Sequence, residues 1–349
     1  MYRRLLLLAS SSISRGILAL MVIATLGLGG LAEGQIVKVV PEPKPDSGPA
    51  LANFSEDWST PSVKTSQLLP LKAEGPAADA THEGYVVELW RLTWRPGDPI
   101  EVYVIKPTGV SKPPVILNLW GYPNDLDPYR LEAVQKEFVK GGFAAVGFAS
   151  ALTGQRYHDV PMAMWFLSQL PQSLAATAHD VQLMIDFLEK RGDLDTSRIG
   201  MFGNGSGGTI AILASAVDPR IKVLDVLDPW ADWPTWLSTS PFPPADERPN
   251  YVKPEFLKSV SPLEPLEWLP KIQVKKFRFQ DDVINPETPT PIKEKISKAA
   301  PPGTTVVQYK SRAELMAAFQ HSCNLDWLKQ QLSALPSTDK IEKASAEKH

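Results

Sequence analysis

The chain has a single cysteine, Cys323, in 349 residues. That excludes a disulfide framework, so stability must come from a buried core. Charge of one sign is also missing: 36 Lys and Arg stand against 39 Asp and Glu, a formal charge of -3. Neither a nucleic acid nor an acidic membrane surface is therefore an expected partner, and a small, weakly charged molecule fits better. No internal repeat is present. With five histidines in all and no His or carboxylate cluster at ligand spacing, no metal and no cofactor are expected. What remains is 43% hydrophobic and 21% charged, the composition of a globular domain large enough for a substantial core.

The amino terminus begins Met1-Tyr-Arg-Arg and continues into an apolar run from Gly16 to Leu31. Gly30 and Ala32 have the spacing of a signal-peptidase site, so residues 1–32 read as a signal peptide and the protein as exported, periplasmic or extracellular. An uncleaved anchor is the rival reading, since the run approaches the ~17 to 25 residues that span a bilayer. After removal of the leader no membrane association is expected. Residues 33–82 read as a polar, Pro-rich extension, the folded domain as 83–335 and residues 336–349 as a charged tail.

From Tyr85 the pattern changes. Tyr85 to Trp90 and Ile100 to Ile105 read as two strands joined by the turn Arg95-Pro96-Gly97-Asp98, suited to an antiparallel sheet edge. Apolar runs then alternate with helix-length segments: Val115 to Trp120, Phe143 to Phe148, Ile199 to Phe202, Val223 to Leu227, Val274 to Phe279 and Thr305 to Tyr309. Runs apolar on both faces indicate a mostly parallel sheet with helices on both sides, an α/β fold. Val181, Met184, Ile185 and Leu188 lie at i, i+3, i+4 and i+7 and predict a helix stopped by Gly192. Between Pro229 and Pro270 the pattern dissolves into Pro- and Trp-rich sequence, read as a cap inserted over the carboxyl ends of the strands, with Trp120, Trp230 and Trp233 as candidate pocket walls. The alternative for any of these tryptophans is that it seals the core.

The segment Arg198-Ile-Gly-Met-Phe-Gly-Asn-Gly-Ser-Gly-Gly-Thr209 resembles the nucleophile elbow of α/β-hydrolases, in particular secreted esterases related to dienelactone hydrolase and prolyl oligopeptidase. Such an elbow places a nucleophile on a tight turn between strand and helix. The usual spacing, Arg-Ile-Gly followed after two residues by Gly-x-Ser-x-Gly-Gly, puts Gly205 at the nucleophile position. Sliding the frame by one makes Ser206 the nucleophile and puts Asn204 where a small residue is expected. A phosphate-binding nest is a third reading of the same glycines, carried only by a lone G-x-G-x-x-G.

The resemblance further implies Asp282, in Gln280-Asp281-Asp282-Val283-Ile284-Asn285-Pro286, as the acid, and His321, after the last strand, as the base. It implies Tyr122, in Trp120-Gly121-Tyr122-Pro123, and Gly207 as backbone oxyanion donors. His179 and His158 are expected at the surface or in the cap, and Cys323 as a packing thiol. Two functions follow, according to register. With Ser206 attacking, the chain is a serine esterase or acyl hydrolase acting on a small ester or amide. With Gly205 at the nucleophile position, it is an inactive pseudo-hydrolase that binds a ligand or partner.

Overall fold

In a computed structural model of the chain, the structure describes residues 54–122, 126–152, 167 and 169–337. The leader, the first part of the extension, His158 and most of the charged tail lie outside the described residues.

The described strands are β1 (Lys72–His82), β2 (Tyr85–Thr93), β3 (Ile100–Pro107), β4 (Pro114–Leu119), β5 (Ala144–Phe148), β6 (Asp195–Asn204), β7 (Ile221–Leu227), β8 (Lys276–Asp282) and β9 (Thr305–Tyr309). They form one sheet in the order β1-β2-β3-β5-β4-β6-β7-β8-β9. Pairing is antiparallel from β1 through β3 to β5 and parallel from β5 to β9. The antiparallel edge is one strand wider than the sequence reading. The sheet starts at Lys72, inside the segment read as extension, because β1 pairs with β2 along most of its length, from Lys72↔Thr93 to His82↔Tyr85.

The main helices are α1 (Glu132–Val139), α2 (Leu170–Arg191) and α3 (Ser206–Val217); α4 (Trp233–Thr239), α5 (Arg248–Tyr251), α6 (Pro254–Val260) and α7 (Pro265–Trp268) follow β7, and α8 (Thr290–Ala299), α9 (Arg312–Ser322) and α10 (Asp326–Ser333) complete the order. Alternation along β4 feeds two cores. Val115, Leu117 and Leu119 join the face covered by α2, α3 and the α4–α7 segment, while Ile116 joins the face covered by α1 and α10. The predicted stripe of α2, Val181, Met184, Ile185 and Leu188, is fully buried. Each such side chain contributes about 1.5 to 3 kcal/mol of transfer free energy. Gly192 ends the helix with φ +75°, a left-handed cap.

The stretch before β1 is held by charge. Arg95 is buried and donates to Glu56 at 2.5 Å, to Asp180 and to the Ala176 carbonyl at 3.0 Å. His179, expected at the surface or in the cap, is instead fully buried on α2, with Nδ1 2.7 Å from Glu56 and Nε2 3.0 Å from the Thr60 carbonyl. Burial alone would raise the Glu56 carboxyl, but its bonds to Arg95 and His179 outweigh that and hold it at about 2.

Chain order sets the location of the site. The chain passes from β4 to β5 on one side and then returns to β6 on the other side of β4. At such a reversal, here between the carboxyl ends of β4 and β6, open α/β sheets hold their ligands in a crevice.

Candidate functional site

The two segments that flank this crevice are Trp120-Gly121-Tyr122 after β4 and Gly205-Ser206 after β6. Gly205 has φ +54° and ψ -120°, a sharp apex between strand and helix that glycine reaches without a Cβ penalty. Its N–H donates to the Leu227 carbonyl at 2.9 Å, tying the apex to the end of β7. The neighbouring glycines serve close packing. A Cβ on Gly203 would lie 2.4 Å from the Gly207 carbonyl oxygen, and one on Gly207 would lie 2.1 Å from that of Leu119. Helix and strands touch backbone to backbone here, so these glycines have a structural cause independent of any phosphate.

The structure therefore places Gly205, not Ser206, at the apex. Ser206 is the first residue of α3 and fully buried, and its Oγ accepts a hydrogen bond from the Tyr122 N–H at 2.9 Å. That N–H is the donor the family resemblance assigned to an oxyanion, and here the protein's own hydroxyl takes it. Gly207 packs against Leu119 and Trp120.

The other two members of the expected triad lie apart. His321, near the end of α9, has a side chain 77% exposed, with Nε2 3.3 Å from Asp326. No hydrogen bond joins it to Ser206 or Asp282. The helix α9 causes this: it starts at Arg312, soon after β9, so His321 falls about two and a half turns further along. Asp282 is buried at the end of β8, and its Oδ2 lies 3.7 Å from Arg312 Nη1. Arg312 thus stands opposite the acid loop where the resemblance led to a histidine.

An acidic cluster surrounds that loop. Asp228, at φ +45° just beyond β7, accepts from the Asp282 N–H at 3.0 Å and from Asn285 Nδ2 at 2.8 Å. Lys293 is 3% exposed, with Nζ 3.0 Å from Asp281, 3.6 Å from Asp228 and bonded to the Asp282 carbonyl. Burial pushes the Asp228 carboxyl up to about 6 in spite of Lys293. Burial, helped by repulsion from Asp228, pushes Glu287 up to about 7. The sequence reading missed Asp228, Glu287, Lys293 and Arg312. The available signal was Asp228-Pro229 at the end of a strand.

Aromatic rings pack together after β7. Trp230 stacks on Trp236 with centroids 4.5 Å apart and meets Phe242 at 5.0 Å, and Tyr122 meets Phe242 edge-on at 6.1 Å. Trp236 Nε1 donates to the Glu287 carbonyl at 3.0 Å, linking these rings to the acid loop. Trp233, expected in the pocket, is a core residue: it is 1% exposed and its Nε1 donates to the Leu263 carbonyl at 3.1 Å. Trp120 packs on Phe202 and Phe319, on the other face of the sheet. Trp230 is 1% exposed, and among the described residues its Nε1 has no hydrogen-bond partner. Burial lifts the Cys323 thiol to about 12, consistent with a packing role. Among the described residues no group of three His, Cys, Asp or Glu side chains could hold a metal ion.

No protein-family model matches the chain, and no curated protein matches it. Solved structures do. The acetyl xylan esterase from Paenibacillus sp. R4 superposes with a TM-score of 0.55 at 16% identity, covering 73% of this chain and 89% of that one. Acetyl xylan esterase 1 from Thermoanaerobacterium sp. JW/SL YS485 gives 0.56 at 14% identity, covering 79% and 91%. The 2,6-dihydroxy-pseudo-oxynicotine hydrolase gives 0.55 at 20% identity, covering 71% and 68%. The sheet order, the elbow between β6 and α3 and these neighbours define an α/β-hydrolase fold.

Proposed function

We propose that this protein is an exported ligand-binding member of the α/β-hydrolase fold that does not use a Ser-His-Asp triad. The observation that carries the reading is the pairing of Gly205 at the elbow apex with Ser206 Oγ buried on the Tyr122 N–H. A nucleophilic serine needs a base within hydrogen-bond reach and an approach to the carbonyl carbon of about 3 to 3.5 Å. Ser206 is bonded to a backbone donor rather than a histidine, and His321 faces Asp326. The fold still offers what a binding protein needs: a crevice at the sheet's reversal point, an aromatic wall and a few polar groups aimed inward. The ligand is a small molecule. Export rests on the apolar run and small-residue exit of residues 1–32.

Hydrolysis of p-nitrophenyl acetate and butyrate by the wild type and Ser206→Ala tests this reading. Both should be indistinguishable from uncatalysed hydrolysis. Wild-type turnover abolished by Ser206→Ala would instead establish a serine esterase.

A further inference from the structure

The ligand site of the proposed binding protein can be given a chemistry, and the inference rests on that non-catalytic reading. Two sets of donors converge on Gly205. One is the start of α3, a helix of 12 residues whose N-cap is Gly205 and which has no side-chain cap. Its first-turn N–H groups have no carbonyl partner within the helix, and its dipole favours negative charge at this end. The other is Trp230 Nε1–H. This donor is buried, has no hydrogen-bond partner among the described residues, and lies 3.7 Å from where a side chain at position 205 would begin. Buried N–H groups in folded proteins are satisfied with few exceptions, and an exception asks for an explanation.

We infer that the crevice binds a small aromatic carboxylate. One carboxylate oxygen sits over Gly205, accepts from Trp230 Nε1–H and faces the amino end of α3, while the ring lies against Tyr122 and Phe242. Anions at helix starts are stabilised by the same N–H groups and dipole. The glycine matters because any side chain at 205 would stand where the oxygen must go. The wall matters because half-buried aromatic rings accept a planar apolar body edge-on or stacked. Asp228 and Asp282 do not oppose the anion as free charges: the first faces Lys293, Asn285 and the Asp282 N–H, the second Arg312.

Titration of the full chain with benzoate, benzamide and toluene, followed by calorimetry and by the indole N–H resonances, tests the assignment. Benzoate should bind most tightly and shift one indole proton, missing from the Trp230→Phe spectrum. Trp230→Phe keeps the ring and removes the donor, so benzoate affinity should fall tenfold or more. Gly205→Ala should abolish binding while leaving the near-ultraviolet circular dichroism intact. If Trp230→Phe does not fold, the indole shift in wild-type protein decides alone. No saturation by millimolar benzoate, an unchanged Trp230 indole resonance, or equal binding of benzoate and toluene would overturn the carboxylate assignment and leave the non-catalytic reading standing. Turnover of p-nitrophenyl esters lost in Ser206→Ala would overturn that reading itself.

Discussion

Tyr122 N–H and Ser206 Oγ, 84 residues apart, meet at 2.9 Å across the crevice between β4 and β6. This bond fixes the loop after β4 to the first turn of α3, and it gives Ser206 a structural role. Ser206→Ala should remove the hydroxyl to which the Tyr122 amide donates and cost about 1 to 3 kcal/mol. Urea denaturation of the two proteins checks this, and an unchanged midpoint would show that the bond contributes nothing.

Restoring a nucleophile at the apex should not restore hydrolysis. Gly205→Ser has space, since the nearest atom to its Cβ is Trp230 Nε1 at 3.7 Å. Among the described residues it has no base, because His321 is exposed beside Asp326 and Asp282 faces Arg312. The expected p-nitrophenyl acetate rate of Gly205→Ser stays within about tenfold of background, since a lone triad member gives little without its partners. His321→Ala in the same background should change nothing; a loss of rate would return His321 to the site.

The acid loop makes stability depend on pH. Burial raises Asp228 from 3.8 to about 6 and Glu287 from 4.5 to about 7, so the folded chain binds more protons than the unfolded chain between about pH 4 and 7. The stability these groups contribute is full below pH 4 and declines as pH rises through 6 and 7. Glu287→Gln removes a carboxylate whose charge the buried loop disfavours. Relative to wild type it should gain about 1 to 3 kcal/mol on passing from pH 5 to pH 8, because a tenfold change in acidity between the folded and unfolded chain corresponds to about 1.4 kcal/mol. Unfolding midpoints at the two pH values measure the difference, and a constant offset would refute the assignment.

The clamp on the segment before β1 should be readable by proteolysis. Arg95→Ala leaves Glu56 and Asp180 buried without their cation, a loss of about 3 to 5 kcal/mol for breaking such a pair. Cleavage between residues 54 and 71 should accelerate well before the rest of the domain is cut. His179→Ala should act in the same direction and more weakly.

Much of the architecture was legible because it is periodic. The parallel strands run apolar on both faces and α2 repeats at 3.6 residues, so both were visible without knowledge of any contact. β1 was not: Lys72-Ala-Glu-Gly-Pro-Ala-Ala-Asp-Ala-Thr-His82 lacks the β-branched alternation that marks a strand, and the pairing with β2 supplies the structure that propensity does not. At the site, the elbow was legible and the triad was not. Gly205 and Ser206 differ by one position, and only the backbone shows which takes the apex. His321 satisfied chain order, but the start of α9 at Arg312 carries it to the surface. Trp233 and Trp236 share composition with Trp230, yet Leu263 and Glu287 carbonyls satisfy two of the three, which no spacing rule distinguishes.

The backbone contacts around the elbow also determine where heredity can act. Added side chains at Gly121, Gly203 and Gly207 would meet main-chain oxygen at 2.9, 2.4 and 2.1 Å, whereas one at Gly205 meets nothing closer than 3.7 Å. Only the positive φ resists, at about 1 to 3 kcal/mol for a non-glycine residue. Lineages of this protein can therefore explore position 205 one substitution at a time while its glycine neighbours stay locked, so gain or loss of a reactive group at this turn is decoupled from survival of the scaffold.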